Sequence, residues 1–467
     1  MEECVLELPL GEAAAKFDLE TAVCSHGLFM LSPNHWDPLT KSLTRPLHLI
    51  VHSNSPRSPS ITVIISQPHQ DPHSLRIKLH KTPSGSLSKH QQDALVRQVV
   101  RMLRLSESDE RNMREFKRVA SEVGEGCDFV KDFSGRVFRS PTLFEDMVKC
   151  MLLCNCQWPR TLSMARALCE LQFELQHCSF SSLVAGVKQE DFIPKTPAEK
   201  ELKRRRILSK VSTSLTSKFA EVKANLEEDL DSKLVCFRET EENLNPSFPW
   251  DDIEDDSCAV HELSTSDLCL VSDLQSKGKE SYVSDRIGNF PSPGELANID
   301  EIFLAKRCNL GYRAGRIIKL AQAIVEGRIQ LEQLEEICSE ASLASYDKLA
   351  EQLSKIDGFG PFTCANVLVC MGFYHVIPSD SETIRHLKQV HKRKSTIKTV
   401  QKDVKMIYGK YAPFQFLAYW SEVWHFYEER FGKLSEMPYS NYKLITATLD
   451  SGLCKLQDVL NLFDYLA

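Results

Sequence analysis

The chain of 467 residues has no long apolar run: its longest, Val367 to Tyr374, falls well short of the roughly 20 residues a membrane-spanning helix needs. It has no basic segment leading into an apolar one near Met1-Glu2-Glu3, so an export signal is not expected. It also lacks any Cys-x-x-Cys pair, although it carries 16 cysteines. Cys150, Cys154 and Cys156 have no His or Cys at finger spacing, so no metal site is expected. Cys150, Cys154, Cys364 and Cys370 sit inside apolar helical patterns, the usage of reduced cysteine packed as a small hydrophobe. A strong charge of either sign is absent too. The formal net charge of −7 argues only weakly against nucleic acid, and it is unevenly spread.

What is present is a globular composition, 42% hydrophobic and 26% charged, in a chain long enough for two or three domains. Over residues 1–110, Leu47–Val51, Ile61–Ile65 and Leu75–Leu79 are short, β-branched or alternating runs separated by Pro, Ser and Asn. They predict an antiparallel sheet with one face buried. From about His90 the period becomes helical, as in Val96, Val99, Val100 and Leu103, then Phe144, Met147, Val148 and Met151. Residues 111–180 are therefore expected to be helical. Over 181–282 the periodicity fades into a basic part, densest at Lys203-Arg204-Arg205-Arg206, and an acidic part around Asp251–Asp256. This reads as a mostly disordered, charged insert in which Glu199–Leu226 could form a helix. The basic cluster fits a nuclear localisation signal or a solvated basic face. Helical spacing resumes over 283–432, from Leu296, Ile299, Ile302 and Phe303 to Phe431, and 433–467 reads as a short helical tail.

The sharpest local signal is Leu353-Ser354-Lys355-Ile356-Asp357-Gly358-Phe359-Gly360-Pro361-Phe362-Thr363. A helix with Tyr346, Leu349 and Leu353 on one face runs into a Gly-x-Gly turn. A second helix begins near Pro361, where a missing N–H costs nothing. Backbone amides at Gly358, Phe359, Gly360 and Thr363 could cradle a phosphate; an ordinary corner with glycine caps fits the same spacing. Val376-Ile377-Pro378-Ser379-Asp380 and a helix through Ile384 follow, so Asp380 is either an N-cap, a reactive carboxylate or both.

A Gly-rich hairpin followed some twenty residues later by Pro-x-Asp resembles the helix–hairpin–helix superfamily of DNA glycosylases. Three further stretches match in order: Ser140–Glu145 leading to Asn155-Cys156-Gln157, Leu310-Gly311-Tyr312-Arg313, and Tyr411-Ala412-Pro413-Phe414. The likeness covers about 140–175 and 285–430, and the strand-rich start, with Phe29 and Trp36, is similar to the 3-methyladenine glycosylase II and 8-oxoguanine branches. The fold class implied is α+β: an antiparallel sheet domain, then an all-α helix–hairpin–helix domain with a long insert.

The resemblance implies base excision. A carboxylate, here Asp380, stabilises an oxocarbenium-like sugar while the N-glycosidic bond breaks. Bifunctional members carry a lysine where this chain has Phe362, so a monofunctional enzyme leaving an abasic site is implied. Phe362 would then line the pocket or simply pack in the core. Tyr312 looks like the wedge that fills the gap of a flipped base, and Asn155, Arg160 and Arg313 match the trio that reads the orphaned cytosine. Arg160 and Arg313 fit phosphate contact as well. His26, Asn366 and Tyr419 depart from the 8-oxoguanine pocket, leaving an alkylated or deaminated purine or another guanine product open. A non-catalytic DNA-binding protein is the alternative, and a bifunctional 8-oxoguanine lyase using Lys388 or Lys355 is a third reading. The expected partner is duplex DNA bearing a damaged base, met by a monomer in the nucleus, with abasic-site processing enzymes downstream. No cofactor is expected: only Cys454 lies beyond Cys370, too few for a four-cysteine iron–sulfur loop. A weakly held monovalent cation at the hairpin carbonyls is compatible with the family pattern.

Overall fold

The computed structural model describes residues 4–11, 17–49, 59–80, 87–123, 128–177, 286–338 and 342–445. The expected insert, its basic cluster at Lys203–Arg206 and the helix over Glu199–Leu226 lie outside them. One unit gathers Met1–Phe192 with Asp285–Ala467, and the other, Ile193–Ser284, belongs to the stretch not described.

Five strands, β1 (Val5–Pro9), β2 (His35–Asp37), β3 (Ser42–His48), β4 (Ser60–Ser66) and β5 (Ser74–Leu79), form one sheet in the order β1-β5-β4-β3-β2. Every neighbouring pair is antiparallel. In β4 the alternation Ile61, Val63, Ile65 puts one row inward, matched by Leu75, Ile77 and Leu79 of β5. The strand expected at Leu47–Val51 is instead Ser42–His48, because the buried row Leu43, Arg45, Leu47 continues across a charged residue. Pro46 is tolerated there: β2 pairs with β3 only over Ser42–Thr44, so Pro46 needs no amide on that side.

The helices are α1 (Leu19–Cys24), α2 (Lys89–Leu103), α3 (Glu107–Glu122), α4 (Asp128–Asp132), α5 (Leu143–Leu153), α6 (Trp158–His177), α7 (Pro293–Leu296), α8 (Glu301–Arg307), α9 (Arg313–Val325), α10 (Leu331–Ile337), α11 (Leu343–Ser354), α12 (Pro361–Cys370), α13 (Ser381–Gln389), α14 (Val400–Tyr408) and α15 (Gln415–Phe431). The chain is thus α+β, a sheet ahead of a helical assembly. No described helix is long and apolar enough to cross a membrane.

A buried ion cluster joins sheet and helices. Arg45, fully enclosed, reaches Glu145 of α5 at 3.1 Å and Asn34 at 2.9 Å, while Lys149 meets Glu145 from the other side at 2.7 Å. Burial alone would raise the Glu145 carboxyl; the two cations outweigh it and hold it at about 2. Residues 433–445 are part of the core and make two 3-10 turns, Leu434–Glu436 and Tyr439–Leu444. Trp36 donates to the Ser435 carbonyl at 2.9 Å and Trp158 to that of Tyr442 at 3.0 Å, fastening this segment to the sheet domain and α6.

Candidate active site

Helix α11 ends at Ser354, and Phe359 bonds back to the Ile356 carbonyl at 3.0 Å to close the turn. Gly358 has φ 91°, a backbone shape that favours glycine, and a Cβ there would stand 2.4 Å from Arg316 Cδ, so that side chain would have to move. Gly360 caps α12 without a side-chain bond and Pro361 opens it, leaving first-turn amides with no side-chain acceptor. The phosphate contact expected of Phe359 and Thr363 was through their main-chain amides; both side chains are buried, Thr363 completely. Their side chains belong to the packed interior, which leaves only the main chain for such a contact.

The chain then turns through Pro378 to Asp380, the N-cap of α13. Asp380 Oδ1 accepts from the Thr383 amide at 2.9 Å and lies 3.2 Å from its hydroxyl, while Thr383 returns a bond to the Asp380 amide. Burial pushes the Asp380 carboxyl above its ordinary value despite these donors. The cap and the reactive carboxylate are therefore compatible roles of one residue.

Asp380 opens onto a cavity of about 440 Å³. Phe362 and Asn366 of α12 and Tyr419 of α15 line it too, so the three expected pocket residues meet the carboxylate in one place. His26, whose Nδ1 has no partner, lines it as well, with its ring 4.7 Å from that of Trp420. Burial lowers His26 to about 3, so it is neutral at physiological pH. Trp420 is fixed by donating to the Ser25 carbonyl at 2.8 Å and stacks on Phe416.

Sequence reasoning missed Trp158, Trp420, Trp424, Tyr427 and Glu382 in this lining. Phe416, Tyr419, Trp420, Trp424 and Tyr427 recur at helical spacing, a signal that could have been read as one aromatic face. Glu382 is held by the Tyr427 hydroxyl at 2.6 Å and by Arg385 Nε at 2.9 Å. No lysine is among the described residues lining the cavity. Lys355 pairs with Glu351 at 2.8 Å, and Lys388 is exposed on the last turn of α13.

Of the four residues expected to touch DNA around the gap, none lines the cavity. Asn155 is exposed in a left-handed turn with φ 49°. Arg160 donates to the Asn309 carbonyl at 3.2 Å. Tyr312, half-buried, lies 4.7 Å from the guanidinium carbons of both Arg313 and Arg316. Arg313 departs from expectation: it is 2% exposed and gives its guanidinium to the carbonyls of Met151, Cys154 and Asn155. Those carbonyls lie at and just beyond the end of α5, where no further helical turn supplies donors to Cys154 and Asn155, so Arg313 anchors the Asn155 turn from within. Phe29 and Trp36 are core residues, Phe29 packing on Tyr442 with rings 5.6 Å apart.

No protein-family model matches the chain, and no curated protein sequence matches it. Solved structures resemble it at low identity. MBOgg1 in complex with a low-affinity DNA ligand is 15% identical with a TM-score of 0.47, over 91% of this chain and 98% of that one. A 3-methyladenine DNA-glycosylase from Archaeoglobus fulgidus is 12% identical with a TM-score of 0.45, over 89% and 98%. The Clostridium acetobutylicum 8-oxoguanine glycosylase/lyase in complex with DNA containing cytosine opposite 8-oxoG is 11% identical with a TM-score of 0.41, over 85% and 91%.

Proposed function

We propose that the protein is a monofunctional DNA glycosylase of the helix–hairpin–helix type, which flips a damaged base into the cavity and hydrolyses its N-glycosidic bond with Asp380. The observation that carries this reading is the meeting of Asp380 with an aromatic cavity of base-binding size, one helix and one loop after a glycine hairpin whose first-turn amides have no side-chain acceptor. The amides bind backbone phosphate of the duplex, and the cavity takes the extruded base. As the C–N bond breaks, its electron pair leaves with the base and positive charge grows on the sugar, where the Asp380 carboxylate offsets it. Water then adds to the sugar carbon and gives up a proton, leaving an abasic site for other enzymes.

The aromatic walls and the carboxylates of Asp380 and Glu382 favour an electron-poor base, one made cationic by alkylation, over a neutral oxidised purine. Phe362 at the position of a family lysine, and a lining without lysine among the described residues, support hydrolysis over lyase chemistry. A nuclear location rests on Lys203–Arg206 alone.

The test is base release from duplexes carrying alkylated, deaminated or oxidised bases, with and without alkali, for the wild type and Asp380→Asn. Release from the wild type, strand scission only after alkali, and no release by the variant are expected. Scission without alkali would refute the monofunctional assignment. Binding with no release on any lesion would make the protein a non-catalytic DNA-binding module.

A further inference from the structure

Behind the cavity, three helices bring a second set of polar groups together. His386 sits in the last turn of α13, His391 just beyond it, Tyr408 at the end of α14, and Glu422 in the middle of α15. Both imidazoles aim Nε2 at the same oxygen, Glu422 Oε2, at 3.3 Å from His386 and 2.7 Å from His391. The Tyr408 hydroxyl reaches that oxygen at 2.5 Å, and lies 3.3 Å from His386 Nε2 and 3.0 Å from His391 Nε2. One ligand atom from each of His386, His391 and Glu422 lies within 4.8 Å of the others.

We propose that His386, His391 and Glu422, with the Tyr408 hydroxyl beside them, form a structural site for a divalent transition-metal ion of the zinc type. The donor set is two imidazole nitrogens and one carboxylate oxygen, which suits zinc better than the oxygen-seeking magnesium or calcium. A tetrahedral ion with bonds of about 2.0–2.1 Å spaces its ligands by roughly 3.3 Å. The two imidazole–carboxylate separations, 2.7 and 3.3 Å, lie at or just below that value, and all three ligand atoms fall within 4.8 Å of one another, so the groups need only spread slightly to enclose an ion. Proton sharing alone fits less well. A carboxylate oxygen offers about two lone pairs, and here three potential donors converge on the single oxygen Glu422 Oε2. With an ion in place each ring gives it a lone pair, and Glu422 binds it instead of accepting from everything around.

The His386 and Glu422 side chains are at most 5% exposed, while His391 is 22% exposed and gives the path for entry. None of the four residues lines the cavity, so the ion takes no part in the reaction. Its work is to tie walls together. Helix α13 carries Asp380 and Thr383, and Glu422 follows Tyr419 by one turn of α15. It also pins the start of the exposed run Lys392-Arg393-Lys394.

The test uses the untagged full chain, stripped with a chelator and checked for folding by circular dichroism. It is titrated with Zn(II) against a chromophoric chelator, and separately with Co(II) while visible absorption is followed. One equivalent should bind, Co(II) should give tetrahedral nitrogen–oxygen bands, and Zn(II) should raise the Tm. His391→Ala, the least buried ligand, should weaken binding at least ten-fold and abolish the rise in Tm, and His386→Gln should do the same. Folded wild type that takes up no stoichiometric ion would overturn the site. So would His391→Ala binding as tightly as wild type, or thiolate charge-transfer bands, which would place the ion on cysteine. The readout is binding and stability, so it stands or falls separately from glycosylase activity.

Discussion

The hydroxyls of Tyr419 and Thr383 lie 3.2 Å apart, joining α15 to the turn that presents Asp380. Tyr419→Phe removes this link and nothing else of the ring. Stability should fall by about 1 kcal/mol and single-turnover base release by less than about ten-fold, the worth of one neutral hydrogen bond. A thousand-fold loss would instead give the phenol a direct part in the reaction.

Asp380→Asn separates the two roles of Asp380. Asparagine caps a helix as well as aspartate, so the Thr383 amide keeps its acceptor. The burial that raises the Asp380 pKa means that the folded state favours the protonated form. Its stability contribution therefore falls as pH rises from the ordinary aspartate range through the raised pKa. At neutral pH the variant should melt no lower than wild type while losing base release at least a thousand-fold. In wild type the acid limb of the rate profile should lie above the ordinary aspartate range.

Gly358→Ala tests the hairpin. The positive φ and the collision with Arg316 together predict a cost of about 1–2 kcal/mol, with reduced affinity for undamaged duplex. Urea melts and fluorescence anisotropy read the two effects. Unchanged affinity would remove the turn from the DNA interface.

Glu145→Leu strands Arg45 and Lys149 in the core without a counter-charge. Loss of about 3–5 kcal/mol in urea denaturation is expected. In wild type the carboxyl is held at about 2 against its usual 4.5, so its contribution is intact above 4.5 and fades as pH falls through about 2.

Gly288 donates to the Cys169 carbonyl at 3.1 Å and Asn289 to Gln172 Oε1 at 2.9 Å, so the chain returns at residue 286 alongside the helix it left at His177. Replacing residues 178–285 by a linker of roughly 12 residues should keep the fold and lower the loop-closure cost by about 2 kcal/mol. A melting curve and the base-release assay check it; an unfolded product would mean that the core depends on the removed stretch.

How far these features could be read in advance depended on whether their cause was local. The hairpin, the cap at Asp380 and the face Phe416–Tyr427 rest on spacing within one or two turns, and spacing is what a sequence displays. Strand β3 was displaced in the reading because Arg45 and Pro46 look unfit for a strand until Glu145 and the short β2 explain them. Arg313 was read as a contact to the orphaned cytosine or to phosphate, since nothing in the sequence shows that three carbonyls at and beyond the end of α5 would claim it. The part of the cavity lining at His26 and Trp158, and the convergence of His386 and His391 on Glu422, arise only when distant segments fold together.

The cavity draws His26, Met30, Cys150 and Trp158 from before His177, and Phe362, Asp380, Tyr419 and Trp424 from after residue 286. A chain severed between those points yields two fragments, neither enclosing a base. One brings the carboxylate and the other brings much of the facing wall. The cavity is in this sense common property of two distant stretches of chain, and it exists only where both have folded onto one core.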